Sequence, residues 1–211
     1  MLFDVTRGEL VEVFGEDGTA SIPATAFPPP AGDSAGARLL QRVGVPTGTL
    51  LLRQPDEDNG LLPLVREVVH IEDFENAPQD SGAWPVIGRL LNAHLALAPA
   101  SGAVHAFDAD EETVRELHTD VSCLIQVTLR FQRLLEEFTF GDGDCDRDCD
   151  CDEDADFERL EREVERIRQE TSGVDPLPFQ NDETVWSVVA EEIAAGRRFR
   201  GTGPGARSLH G

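Results

Sequence analysis

Apolar residues recur at three- and four-residue intervals in three stretches of the second half of the chain, and each predicts a helix. The longest begins at Asp120, a carboxylate placed to cap it, and carries Val121, Leu124, Ile125, Val127, Phe131, Leu134, Leu135 and Phe138 along one stripe wide enough to cover a sheet. A second, from Phe157 to Glu170, lines up Phe157, Leu160, Val164 and Ile167 and fills its other faces with Glu and Arg, among them Glu158 four residues before Arg162. A third, from about Asp182 to Ala195, aligns Val185, Trp186, Val189 and Ile193, and Gly196 supplies its C-terminal stop.

The first half has a different texture. Short apolar runs alternate with Gly and Pro, which predicts strands and turns rather than long helices. Phe27–Gly32 (FPPPAG) is a rigid loop, after which Asp33 caps a short helix bearing Ala37, Leu39, Leu40 and Val43 that Gly44 and Pro46 end. Leu50–Arg53 and Arg66–Ile71 read as strands, the second alternating poorly enough to suggest cover on both faces. Trp84–Ile87 reads as a strand ending at Gly88. His94–Ala98 and Ala103–Phe107 then form a hairpin around Pro99-Ala100-Ser101-Gly102, where Gly102 accepts a positive φ. The expected fold class is α+β, a mostly antiparallel sheet (a meander) covered by helices. One domain over residues 1–196 is expected, interrupted by a disordered acidic insert at 141–156 and followed by a disordered basic tail at 197–211.

Charge narrows the function. The 211 residues contain 18 basic side chains, all Arg, against 41 acidic ones, for a net charge of −23. Such a surface repels phosphates, so sequence-independent nucleic-acid binding is excluded and no direct nucleic-acid partner is expected. The amino terminus lacks the pattern of a signal peptide, and no run approaches the ~20 apolar residues of a membrane span, so no membrane partner is expected and a cytoplasmic location is. The four Cys are then reduced thiols.

The segment Gly141–Asp156 (GDGDCDRDCDCDEDAD) has a net charge of −8, yet the rest of the chain is still at −15. Its acids at Asp142, Asp144, Asp146 and Glu153 match a calcium-loop template, but Arg147 stands where the sharp turn requires Gly. Cys145, Cys149 and Cys151 lack the distant second pair of a structural zinc site, and Cys123 falls in the apolar stripe of the long helix. His94 and His105 approach each other across the hairpin without a third ligand or a nucleophile. Gly201–Ala206 (GTGPGA) follows no strand and opens no helix, as a phosphate cradle would. The adjacent pairs Glu111-Glu112 and Glu191-Glu192 do not converge on one point. No catalytic, cofactor-binding or metal-binding residue is therefore assigned, no cofactor is expected, and the chain reads as a non-enzyme. Its acidic surface suits a basic protein partner. The alternative of a metal-binding protein built on Asp142–Glu153 predicts tight binding of one ion.

Three stretches carry a family resemblance. They are WPVIGRLLNAHLALAPASGAVHAFD, with Ile87-Gly88 and Gly102-Ala103-Val104; TDVSCLIQVTLRFQRLLEEF; and DPLPFQNDETVWSVVAEEIAAG, with Asp175-Pro176 and Trp186. With Gly44-Val45-Pro46 they resemble the SUKH superfamily of bacterial immunity proteins, most nearly its fourth subfamily, over roughly residues 20–196. Arg89-Leu90-Leu91-Asn92 after the Ile-Gly pair departs from the polar or acidic residues common there, and the acidic insert has no counterpart. The resemblance implies a SUKH-like domain that neutralises a cognate polymorphic-toxin domain, a nuclease or nucleic-acid deaminase, by blocking its basic cleft. A regulatory interaction module of the same fold is the alternative.

Overall fold

Side-chain caps set where most of the helices begin. Thr6 and Glu9 form a capping box, each side chain accepting from the other's backbone N–H, and open α1 (Arg7–Phe14). Ser34 Oγ accepts from Ala37 N–H and opens α2 (Ala35–Val43). Glu67 accepts from Leu64 N–H at the single turn α3 (Val65–Val68). Asp120 accepts from Ser122 and Cys123 N–H to open α4 (Val121–Glu137), α5 spans Glu153–Ser172, and Thr184 accepts from Ser187 N–H to open α6 (Val185–Ala194). This computed structural model describes residues 1–46, 51–52, 60–140 and 153–199.

Two short strands, β1 (Thr19–Ala20) and β2 (Val45–Pro46), pair antiparallel. The main sheet is an antiparallel meander of β3 (Leu51–Leu52), β4 (Val86–Leu90), β5 (Ala93–Leu97), β6 (Val104–Asp108) and β7 (Thr113–His118), in that spatial order. The fold is thus α+β, as expected from the hairpin and the helical stripes. The hairpin falls where it was placed, with Gly102 at φ +82°.

Both faces of the sheet are covered. Ile87, Leu90, Leu95, Leu97, Ala106 and Leu117 join Leu40, Leu124, Phe131 and Trp186 in one cluster that runs from Val5 to Ile193. Within it α2 lies so close to β5 that a Cβ on Gly36 would stand 2.8 Å from Leu97 Cδ1. The opposite face presents Val86, Ala96 and Phe107, on which Val65, Val69 and Phe74 pack in a second cluster.

The structure corrects several expectations. Arg66–Ile71 is not a strand: Val65 and Val69 lie one helical turn apart and both bury on the outer sheet face, so packing overrides the β preference of the Val residues. The cap of α2 is Ser34, while Asp33 closes the preceding 3-10 turn. The N-terminal segment holds a helix, α1, that the strand-and-turn reading did not include. The strand at Trp84 starts later and runs through Gly88 to Leu90, because the register shift between Val86 and Gly88 absorbs an extra residue. His94 pairs with Phe107 and His105 with Ala96, so the two His do not face each other. Strand β7, absent from the expected meander, has its own register shift: Val104 pairs with His118 but His105 with Glu116. The additional residue turns both Leu117 and His118 toward the core.

Candidate partner-binding surface

Two kinds of polar site emerge, one closed and one open. The closed one forms where the β7 bulge delivers His118 to the interior, fully buried together with Asp175. The Trp186 indole N–H can only donate, and it does so to His118 Nε2 at 2.7 Å. The proton therefore sits on Nδ1, 3.2 Å from Asp175 Oδ2. Asp175 also accepts from the Thr119 N–H and hydroxyl. Burial pushes the His118 pKa down despite the hydrogen bond and charge of Asp175 and the charge of Asp120. For Asp175 burial acts the opposite way, but the hydrogen bonds from His118 and Thr119 outweigh it and hold the carboxyl below its usual range. Asp120 is likewise lowered, because Ser122 and the amides of Leu2, Ser122 and Cys123 outweigh its burial. Cys123, buried beside this cluster, has its thiol pushed far up by burial and by the carboxylates of Asp175 and Asp120, which disfavours the thiolate. The cluster ties β7, α6 and the loop after α5 together, and His118, Asp175 and Trp186 are closed off from solvent.

This arrangement predicts a pH dependence. His118 and His105 are both lowered, chiefly by burial, so their contribution is complete above the unfolded pKa of about 6.5 and is lost as pH falls toward the folded values. Below that, Asp120 and Asp175 add a second loss as they protonate. Urea denaturation is therefore expected to show stability falling from pH 7 to pH 5, and equal stability at both would contradict the assignment of neutral buried His.

The open sites are acidic. At one end of the sheet the β6–β7 turn presents Asp110, Glu111 and Glu112, all exposed, while Asp108 accepts from the N–H groups of Asp110 and Glu111. A groove of about 400 Å³ beside it is lined by Asp108, Glu111, Arg115, Glu116 and Glu183 among others, and its one cation, Arg115, is bonded to Glu183. Glu112 holds φ +52°, where a side chain costs about 1–2 kcal/mol. Glu112→Gly is expected to stabilise the fold by roughly 0.5–1 kcal/mol, read as a higher urea midpoint.

Many of the described arginines have carboxylate partners, most of them at the surface. All four on α5 (Arg159, Arg162, Arg166 and Arg168) pair with Asp or Glu three or four residues away. Arg7, Arg115, Arg130, Arg133 and Arg198 also have carboxylate partners. Arg198, at the start of the expected basic tail, is buried and bonded to Glu192, and Phe199 packs on Phe138 and Phe140. Residues 200–211, with Gly201–Ala206, lie outside the described residues.

His105 is nearly buried and meets Trp84 edge-on, with ring centroids 4.8 Å apart. Glu191 is exposed on α6 beside the paired Glu192. Of the acidic insert expected at 141–156, residues 141–152, with Cys145, Cys149 and Cys151, lie outside the described residues, while 153–156 form the first turn of α5 and are not disordered. Among the described residues no group of three or more His, Cys, Asp or Glu is arranged to hold a metal, and no helix is long and apolar enough to cross a membrane. The His118–Asp175–Trp186 cluster escaped sequence reasoning, since its members lie up to 68 residues apart; Asp175 and Trp186 stood out only as parts of family motifs.

A family model described as SUKH-4 immunity protein matches residues 5–192. No curated protein and no solved structure matches the chain.

Proposed function

Because the chain belongs to the SUKH-4 immunity protein family, we propose that it binds a cognate bacterial toxin domain, a nuclease or nucleic-acid deaminase, and neutralises it by covering its basic active-site cleft. The observation that carries this reading is the imbalance of the surface: many of the described arginines are paired with neighbouring carboxylates, while acids on several faces, Asp110 and Glu111 at the sheet end and Asp154, Glu161, Asp182 and Glu191 on and beside the helices, face solvent without an ion pair. A cleft that holds nucleic acid is lined with cations, so a folded polyanion of defined shape competes for it, and its field speeds encounter. The protein acts in the cytoplasm, where the nucleic-acid substrate is, without catalytic residues or cofactor. Its SUKH-like domain spans residues 1–196.

Toxin turnover measured against increasing nucleic-acid substrate tests this. Inhibition is expected to be competitive, stoichiometric and faster to set in at low salt. Equal inhibition by an unrelated acidic protein of similar charge would refute specific recognition.

A further inference from the structure

We infer that the groove between α5 and α6 is the docking surface for a basic, amphipathic segment of the protein partner; this rests on the immunity reading and assigns it a place on the fold. Two adjoining concavities, of about 590 and 560 Å³, share Glu161, Glu191 and Ala194 and so form one groove along the two helices. Along α5 it extends from Asp154 to Arg168, about 21 Å at the rise of an α-helix, which is room for roughly four helical turns.

Its charge is one-sided. The two arginines at its rim, Arg162 and Arg168, are engaged by Glu158 and Glu165. Asp154, Glu161, Asp182 and Glu191 are exposed and have no ion pair. Its floor holds the buried Val164 and Ser187 and the half-buried Ala194, with Ala195 exposed beside them, and at one end the ring of Phe157 lies over Gly196 with 40% of the residue exposed. Carboxylates around a largely apolar groove complement Arg or Lys alternating with apolar side chains at helical spacing. The sheet-end groove also sets carboxylates beside Ala93, Ala106, Leu117 and Val185, but it is smaller, at about 400 Å³, and no exposed aromatic lies in it.

Two measurements on the full chain test the proposal. The first compares binding of the toxin domain encoded beside this gene by wild type, by a groove set (Asp154→Asn, Glu161→Gln, Asp182→Asn, Glu191→Gln) and by a sheet-end set of equal charge change (Asp110→Asn, Glu111→Gln, Glu112→Gln, Glu116→Gln). All eight side chains are exposed, so folding is expected to survive. The groove set is expected to bind about 100-fold more weakly, mainly through slower association and with a flatter salt dependence, and the sheet-end set within about threefold of wild type. The second titrates a Leu/Lys amphipathic helical peptide of about 14 residues, sized to the groove, into isotope-labelled protein. Its amide shifts are expected to concentrate on α5 and α6.

Toxin binding weakened equally by both sets, or more by the sheet-end set, would overturn the groove and leave the immunity reading standing. Peptide shifts scattered over all acidic faces would overturn it as well. If an active toxin fails to bind wild type while the peptide seats between α5 and α6, the immunity reading fails and the groove remains a site for basic segments.

Discussion

Replacing Trp186 by alanine is expected to cost about 3–5 kcal/mol, the range for deleting a large buried aromatic, and to leave much of the protein unfolded in mild urea. Trp186 is fully buried in the main cluster and lies nearly parallel to Phe131, with ring centroids 5.8 Å apart. Its removal opens a cavity between α4 and α6, and it strips His118 Nε2 of the indole donor in a site without exposure. Trp186→Phe separates the two effects, because it keeps most of the packing and loses only the N–H; about 1–3 kcal/mol is expected. Urea unfolding followed by circular dichroism reads both, and Trp84 remains as a fluorescent reporter. A loss below 1 kcal/mol for Trp186→Ala would show that the cluster does not hold α6.

Asp175→Ala is expected to cost roughly 3 kcal/mol, since removing a buried carboxylate that accepts several hydrogen bonds leaves their donors unsatisfied. The His118 Nδ1–H and both donors of Thr119 would lose the carboxylate that gathers them. Asp175→Asn retains one acceptor oxygen and is expected to fall between wild type and alanine. Equal midpoints for Asp175→Ala and wild type would mean that the loop after α5 is anchored by something other than this cluster.

How much of this was legible beforehand differs by element, for physical reasons. The long helix was clear because its stripe and its Asp120 cap agree, and the β5–β6 hairpin because Gly102 supplies the positive φ its turn needs. Helix α1 was obscured because only Leu10 of its eight residues is buried, so it carries almost no stripe; the Thr6-x-x-Glu9 capping box was the available signal. Strand β7 was hidden by its bulge, which sets Leu117 and His118 on the same side and breaks the alternation that marks a strand. The Val-rich run at Val65–Val69 misled because its helical turn is stabilised by a sheet face that local sequence does not reveal. Of the candidate surface, the acidity was plain in the composition, but which acids stand unpaired around a largely apolar groove depends on how α5 and α6 meet.

The most direct test of the central claim is co-expression in a bacterial host of this chain with the toxin domain encoded beside its gene, scoring growth together with co-purification. Restored growth with a one-to-one complex that loosens as salt rises is the predicted result. Unrelieved killing by an active toxin, with no complex recovered even at low salt, would contradict it.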